Sequence, residues 1–216
     1  MEALEAYDKL LARFGPQHWW PARTRFEVIV GALLMQQTAW RNVEAAIGNL
    51  KRAGLLSPAA IAAAPIPELR RHVRIAGLYR SKPHRLRRFC RRLMEFGGDL
   101  DAFFGRPLET VREDLLAQQG VGPETADSIL LYASDAPTFV VDAYTVRIAG
   151  RLGWSPSDDY HWVKAWFEAR VPRDLTTYRE YHALLVRHAK EVCRPRPKCA
   201  ECPLNEMCAY YRTRRP

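Results

Sequence analysis

Five cysteines stand in the 216-residue chain, and four of them follow the spacing C-x5-C-x2-C-x5-C: Cys193, Cys199, Cys202 and Cys208. Four thiolates in so short a stretch can wrap one metal centre. A CxxC pair inside a longer loop suits either Zn(II) or a [4Fe–4S] cluster. Zinc ribbons pair two CxxC knuckles, so one knuckle between longer loops favours the cluster, and two disulfides are the alternative for an oxidising compartment. Cys90 lies far away in an Arg-rich segment and reads as a small packing residue.

A second signal is Gly120-Val121-Gly122-Pro123 inside the apolar stretch 115–131. One helix ends, two glycines turn the chain, and Pro123 opens the next helix. Glycines let backbone approach a ligand closely, and the amides of a helix start bind phosphate. This is a helix-hairpin-helix pattern, suited to sequence-independent contact with a nucleic-acid backbone through Gly120 and Gly122. Further on, Val140-Val141-Asp142 precedes another helix, and from its spacing Asp142 reads as an N-cap.

The elements that must position these groups are nearly all helical. Helical spacing of apolar residues runs from Leu4 to Phe14, from Phe26 to Leu34 and through Val43, Ile47 and Leu50. Ser57-Pro58 and Pro67 open further helices, the latter ending near Gly77. Lys82–Phe96 forms a basic one, Ser157-Asp158-Asp159 caps another, and Tyr178–Val192 forms the last long one. The sole strand-like run, Thr138–Val141, is too short to found a sheet. The expectation is an all-α fold with boundaries at 16–21 and 133–137. Residues 22–133 would form a six-helix domain, and residues 1–21 with 134–216 a second helical domain carrying the cysteine loop 193–208.

With 33 Lys+Arg against 24 Asp+Glu the formal net charge is +9, which suits a polyanionic partner. Arg80–Arg92 carries seven Lys/Arg and no acid, so Lys82 and Arg91 are candidate phosphate contacts. Arg194 and Lys198 in the cysteine loop are two more. No apolar run is long enough to cross a bilayer, and the acidic, amphipathic start is unlike a secretory signal. The expectation is a monomeric protein of the cytoplasm, associated with the nucleoid.

In this order, the hairpin, V-D-x-x-x-x-R and the four-cysteine loop resemble the helix-hairpin-helix DNA glycosylases of the endonuclease III superfamily. Leu33–Thr38 and Gly77–Lys82 match further segments of that family, and the resemblance covers nearly the whole chain. It implies two all-α domains flanking a DNA-binding cleft, a [4Fe–4S] cluster on the four cysteines, and duplex DNA bearing a damaged base as the partner. It makes Asp142 the catalytic carboxylate. Gln36 and Leu78, or its neighbour Tyr79, would fill the hole left by a flipped base. Bifunctional members place a lysine where this chain has Glu124, and a carboxylate cannot form the imine that precedes strand cleavage.

Trp19-Trp20-Pro21 and Trp40 are similar to the 3-methyladenine DNA glycosylase III branch, which lacks the four cysteines. There a proline and an aromatic sandwich the base; the matching positions are Pro21 and Trp40, with Trp20 and Glu124 nearby in the pattern. The resemblance implies a monofunctional glycosylase for alkylated purines such as 3-methyladenine. The alternatives are an endonuclease III-like glycosylase for oxidised or mismatched pyrimidines with weak lyase activity, a non-catalytic DNA-binding module, and a zinc-binding structural protein.

Overall fold

Helix-start and helix-stop residues divide the chain into thirteen α-helices in the computed structural model, which describes residues 2–213. In chain order they are α1 (Glu2–Phe14), α2 (Arg25–Leu34), α3 (Trp40–Arg52), α4 (Pro58–Ala63), α5 (Ile66–Val73), α6 (Lys82–Met94), α7 (Leu100–Phe104), α8 (Leu108–Leu116), α9 (Pro123–Ala133), α10 (Ala143–Leu152), α11 (Tyr160–Glu168), α12 (Leu175–Glu191) and α13 (Ala209–Arg212). Short 3-10 turns fill Arg74–Ala76, Cys199–Glu201 and Asn205–Met207. None of the described helices is long and apolar enough to cross a membrane.

Local chemistry explains most of the boundaries. Thr24, Ser57, Asp142, Asp159 and Asp174 each accept a first-turn amide at a helix start. Asp174 begins α12 at Leu175, three residues before the Tyr178 start expected from periodicity. The helix expected to open at Pro67 starts at Ile66 and gives way to a 3-10 turn after Val73. Among the described residues the Thr138–Val141 run forms no strand. Side chains of α11 satisfy its backbone instead: Phe139 N–H donates to Glu168 Oε1 at 2.9 Å, and Lys164 Nζ donates to Phe139 O at 3.1 Å.

The described residues form two units. The first combines residues 2–21 and 135–213. Its core gathers Phe139 stacked on Phe167 at 4.5 Å, with Tyr178 and Tyr181 edge-on to Phe139. The helix α1 docks on α12, where Tyr181 Oη donates to Ala3 O at 2.7 Å. The second unit is Ala22–Ser134 and holds eight of the described α-helices where six were expected; the short α7 is one that no sequence signal marks. Its centre is α2 packed on α9, both buried on nearly every face.

One polar pair lies inside that centre. Asp127 of α9 is fully buried, and its carboxylate accepts from Arg112 Nε at 2.8 Å and Nη2 at 3.3 Å. A buried carboxylate is tolerated only with such a partner, and removing it strands the guanidinium. Asp127→Ala is expected to lower unfolding free energy by roughly 2–4 kcal/mol in urea titrations, below the fully buried limit because Arg112 reaches solvent. A loss under about 0.5 kcal/mol would contradict this account of the pair.

Candidate functional site

In the unit containing α10, Asp142 is the N-cap. Its Oδ1 accepts from Thr145 N at 2.7 Å and from Thr145 Oγ1 at 2.9 Å. Its Oδ2 lies 3.8 Å from His182 Nε2 on α12, outside hydrogen-bond range. The carboxylate is thus fixed in orientation by one oxygen, with the side chain only 12% exposed. His182 is buried, and desolvation pushes its pKa below the usual imidazole value despite the opposing pull of Asp142. A neutral imidazole leaves the negative charge of Asp142 unquenched. Sequence spacing did not single out His182, which sits on the apolar face of α12 among Tyr178, Tyr181 and Leu185.

The same helix holds the cysteine loop. Arg151 Nη1 donates to Cys193 Sγ at 3.2 Å and Arg194 O at 2.6 Å, and its Nη2 donates to Pro195 O at 3.0 Å. Arg147 Nε donates to Cys193 O at 3.1 Å. Cys193, Cys199, Cys202 and Cys208 line one cavity. Burial, then the neighbouring thiols, push Cys202 up to about 11, and burial raises Cys208 as well. Among the described residues, no set of three or more His, Cys, Asp or Glu side chains is arranged to hold a metal ion. The exposed loop residues Arg194 and Lys198 flank the thiols, Lys198 lying 3.7 Å from Glu201. Cys90 is buried and its thiol strongly raised by desolvation, as suits a packing residue.

In the α1 segment, Glu180 of α12 accepts from the amides of Gln17 at 2.6 Å and His18 at 2.8 Å. That carboxylate anchors the chain entering Trp19-Trp20-Pro21, a role that the sequence did not suggest. Trp19 and Trp20 are half-buried, their rings 6.1 Å apart edge to face, and Pro21 is exposed.

In the other unit the hairpin joins α8 to α9. Gly120 has φ +83°, which favours glycine, and a Cβ there would also have to displace the Arg85 side chain. Gly122 caps α9 with no side-chain acceptor, leaving a helix start of the kind that binds phosphate. Glu124 is exposed in the first turn of α9, where a carboxylate is favoured. Trp40 is half-buried at the first position of α3. Leu78 is 40% exposed with φ +44°, a strained backbone for a leucine, and Tyr79 beside it is equally exposed.

Two expectations change here. Lys82 is no surface phosphate contact: it is fully buried, and its Nζ donates to Gln36 O at 2.7 Å and Ala76 O at 2.6 Å. Gln36, expected to fill the hole left by a flipped base, is instead held within the protein: its Nε2 donates to Gly120 O at 2.7 Å and Thr125 Oγ1 at 3.2 Å, and its Oε1 accepts from Arg85. The exposed glutamine is its neighbour Gln37, at φ +53°. Arg91 remains exposed. It lines a concavity of about 360 Å³ with His84, Arg87, Arg88 and Arg92, beside Gln118 at the hairpin's entrance.

The description "HhH-GPD superfamily base excision DNA repair protein" matches residues 30–173. The chain is 45% identical over 205 residues to a Methanocaldococcus jannaschii protein named as a DNA repair glycosylase, covering 94% of this chain and 93% of that one. It is 30% identical to endonuclease III of Thermotoga maritima, over 88% of this chain and 84% of the relative. Among solved structures it is similar to the 3-methyladenine DNA glycosylase of H. pylori bound to 1,N6-ethenoadenine. That match has a TM-score of 0.77 and 29% identity, covering 88% of this chain and 96% of that one. An endonuclease III–DNA complex, 24% identical, shares the fold at a TM-score of 0.83 over 99% of this chain and 96% of that one.

A lowered His182 pKa has a signed consequence. Below its ordinary value of 6.5 the unfolded chain takes up a proton that the folded chain resists, so stability falls as pH drops from there. His188, lowered by burial to about 4, acts in the same direction. Urea titrations between about pH 7 and about pH 5 are expected to show a smaller acid loss for His182→Gln than for the wild type. Equal losses would mean that His182 titrates alike in both states.

Proposed function

The chain belongs to the HhH-GPD superfamily of base excision DNA repair proteins, and from that premise we propose that it is a monofunctional DNA glycosylase for alkylated purines such as 3-methyladenine. The observation that carries this reading is Glu124, in the first turn of α9 where bifunctional relatives place a lysine. Its carboxylate cannot become an imine. Lys164 is no substitute nucleophile, since its ammonium is tied to Phe139 O and to Glu168 at 3.1 Å. The likeness to the H. pylori glycosylase supports the alkylpurine part.

The chemistry suits the groups present. Methylation at N3 or N7 makes a purine cationic, so the base leaves neutral and needs no strong general acid. The protein has to extrude the base, stack it, and stabilise positive charge growing on the sugar. Trp40 is an electron-rich ring of the kind that binds a cationic base, and the resemblance matches Pro21 to a base-stacking proline. The Asp142 carboxylate stabilises the sugar cation and orients the attacking water. The helix start at Gly122 and the Arg91 concavity take backbone phosphates, while Leu78 fills the vacated stack.

Cys193, Cys199, Cys202 and Cys208 line one cavity, and their donor type and spacing support a [4Fe–4S] cluster as the group they would hold. When bound, such a cluster orders the loop that presents Arg194 and Lys198. A second reading, an endonuclease III-like enzyme for oxidised or mismatched pyrimidines, is favoured by the 30% identity to the Thermotoga enzyme.

The deciding experiment offers duplexes with single lesions, with and without alkali, and with borohydride. Free base from methylated purines, strand cleavage only after alkali, and no borohydride-trapped adduct are the expected results. Release of oxidised pyrimidine with trapping would favour the second reading. Protein purified without air is expected to be brown, with about four irons and four sulfides per chain. Cys202→Ala is expected to lose the colour and much of its solubility. Stoichiometric zinc without visible absorption would overturn the cluster.

A further inference from the structure

Lys82 breaks the rule that its own position sets. It is the first residue of α6, where the helix dipole disfavours a cation, and it neighbours Arg85 along that helix. It is also fully buried, which for an ammonium is costly unless every donor is matched. Two of its three N–H donors are matched here, by two chain ends. Gln36 O lies just past the C-cap of α2, and Ala76 O closes the 3-10 turn before Leu78. Carbonyls at such ends have no helical donor of their own. Their negative ends converge on one Nζ at 2.7 and 2.6 Å.

The network continues to the hairpin. Gln36 reaches from the same residue that receives Lys82 to Gly120 O and Thr125 Oγ1. Arg85, one turn along α6, holds the Gln36 amide oxygen and lies where any Cβ on Gly120 would clash. The strained Leu78 carbonyl in turn receives the amides of Ser81 and Lys82, each at 3.0 Å. The Lys82 ammonium thus ties the Gln36–Gln37 turn to the end of the 3-10 turn before Leu78, and the Gln36 side chain carries the link on to the Gly120 hairpin. All three lie in the Ala22–Ser134 unit.

We propose that Lys82 is a positioning residue, which presets the Leu78 and Gln37 turns at a fixed offset from the phosphate-gripping hairpin, so that duplex held there meets a formed wedge. This rests on the glycosylase reading and adds to it a reason for burying a cation beneath the DNA-facing turns. A wedge that must be ordered after binding would charge that ordering entropy to base extrusion. A lesion already unpaired needs no wedge, so the effect of Lys82 is confined to paired substrate.

The test compares Lys82→Met with wild type in single-turnover excision of one lesion, in duplex and in single-stranded DNA. The expected result is a duplex rate reduced about ten-fold more than the single-stranded rate. The salt slope on undamaged duplex should stay unchanged, since no phosphate contact is lost. Equal losses on both substrates would reduce Lys82 to a stability role. A slope smaller by about 0.9 would make it a phosphate contact after all. If Lys82→Met does not fold, Arg85→Met loosens Gln36 while keeping both Nζ bonds, and must shift the same ratio in the same direction; an unshifted ratio overturns the proposal. Hydrogen exchange gives a readout independent of activity: Lys82→Met must speed exchange at Ser81 and Val121 together, and unaltered protection at either contradicts the coupling. A wild type that releases no base from any lesion would instead sink the glycosylase reading, leaving the exchange result to decide for Lys82.

Discussion

The chemistry proposed for the α10 unit depends on how Asp142 is held. One carboxylate oxygen closes a helix by taking the amide and hydroxyl of Thr145. That bond fixes the side chain's rotamer, while the other oxygen stays outside hydrogen-bond range of its nearest ring, His182. A carboxylate that must stabilise a developing cation needs both conditions: a fixed place and an unquenched charge. An N-cap supplies the first at no cost in charge, because amides are donors and leave the group anionic. Burial of His182 in its neutral form supplies the second.

The helix begun by that cap is also the scaffold of the cysteine loop. Arg147 and Arg151, one and two turns along, bind the carbonyls of Cys193, Arg194 and Pro195, and Cys208 Sγ returns a contact to Arg151 O at 3.3 Å. The basic loop and the carboxylate proposed to act on the sugar are thus mounted on one helix. In the other unit the analogous organiser is a cation: the Lys82 ammonium joins two turns, and Gln36 links them to the hairpin. Anions and cations placed at helix ends do the structural work in both units.

Much of this was legible in the sequence. The glycines of the hairpin, the cysteine spacing and the acidic caps act through their immediate neighbours, so local reading finds them. Asp142 was legible as a cap for the same reason, and its chemistry only through resemblance. What local reading missed is non-local. Lys82 sits inside a run of arginines and looks like one more surface cation, yet its partners lie 46 and 6 residues away. Gln36 finds its acceptors 84 and 89 residues on, in the hairpin. His182 and Glu180 share a helix whose pattern reads as plain packing, and each meets its partner only through the fold. The Thr138–Val141 run forms no strand and takes backbone partners from side chains of α11.

The central claim is that the charge of Asp142, and not its capping bond, performs the chemistry. Asn caps a helix about as well as Asp but carries no charge. Asp142→Asn should therefore keep its melting temperature and its affinity for abasic-site duplex, while single-turnover base excision falls by roughly a thousand-fold or more. An asparagine variant that excises at close to the wild-type rate would show that Asp142 is a structural cap and that the chemistry resides elsewhere.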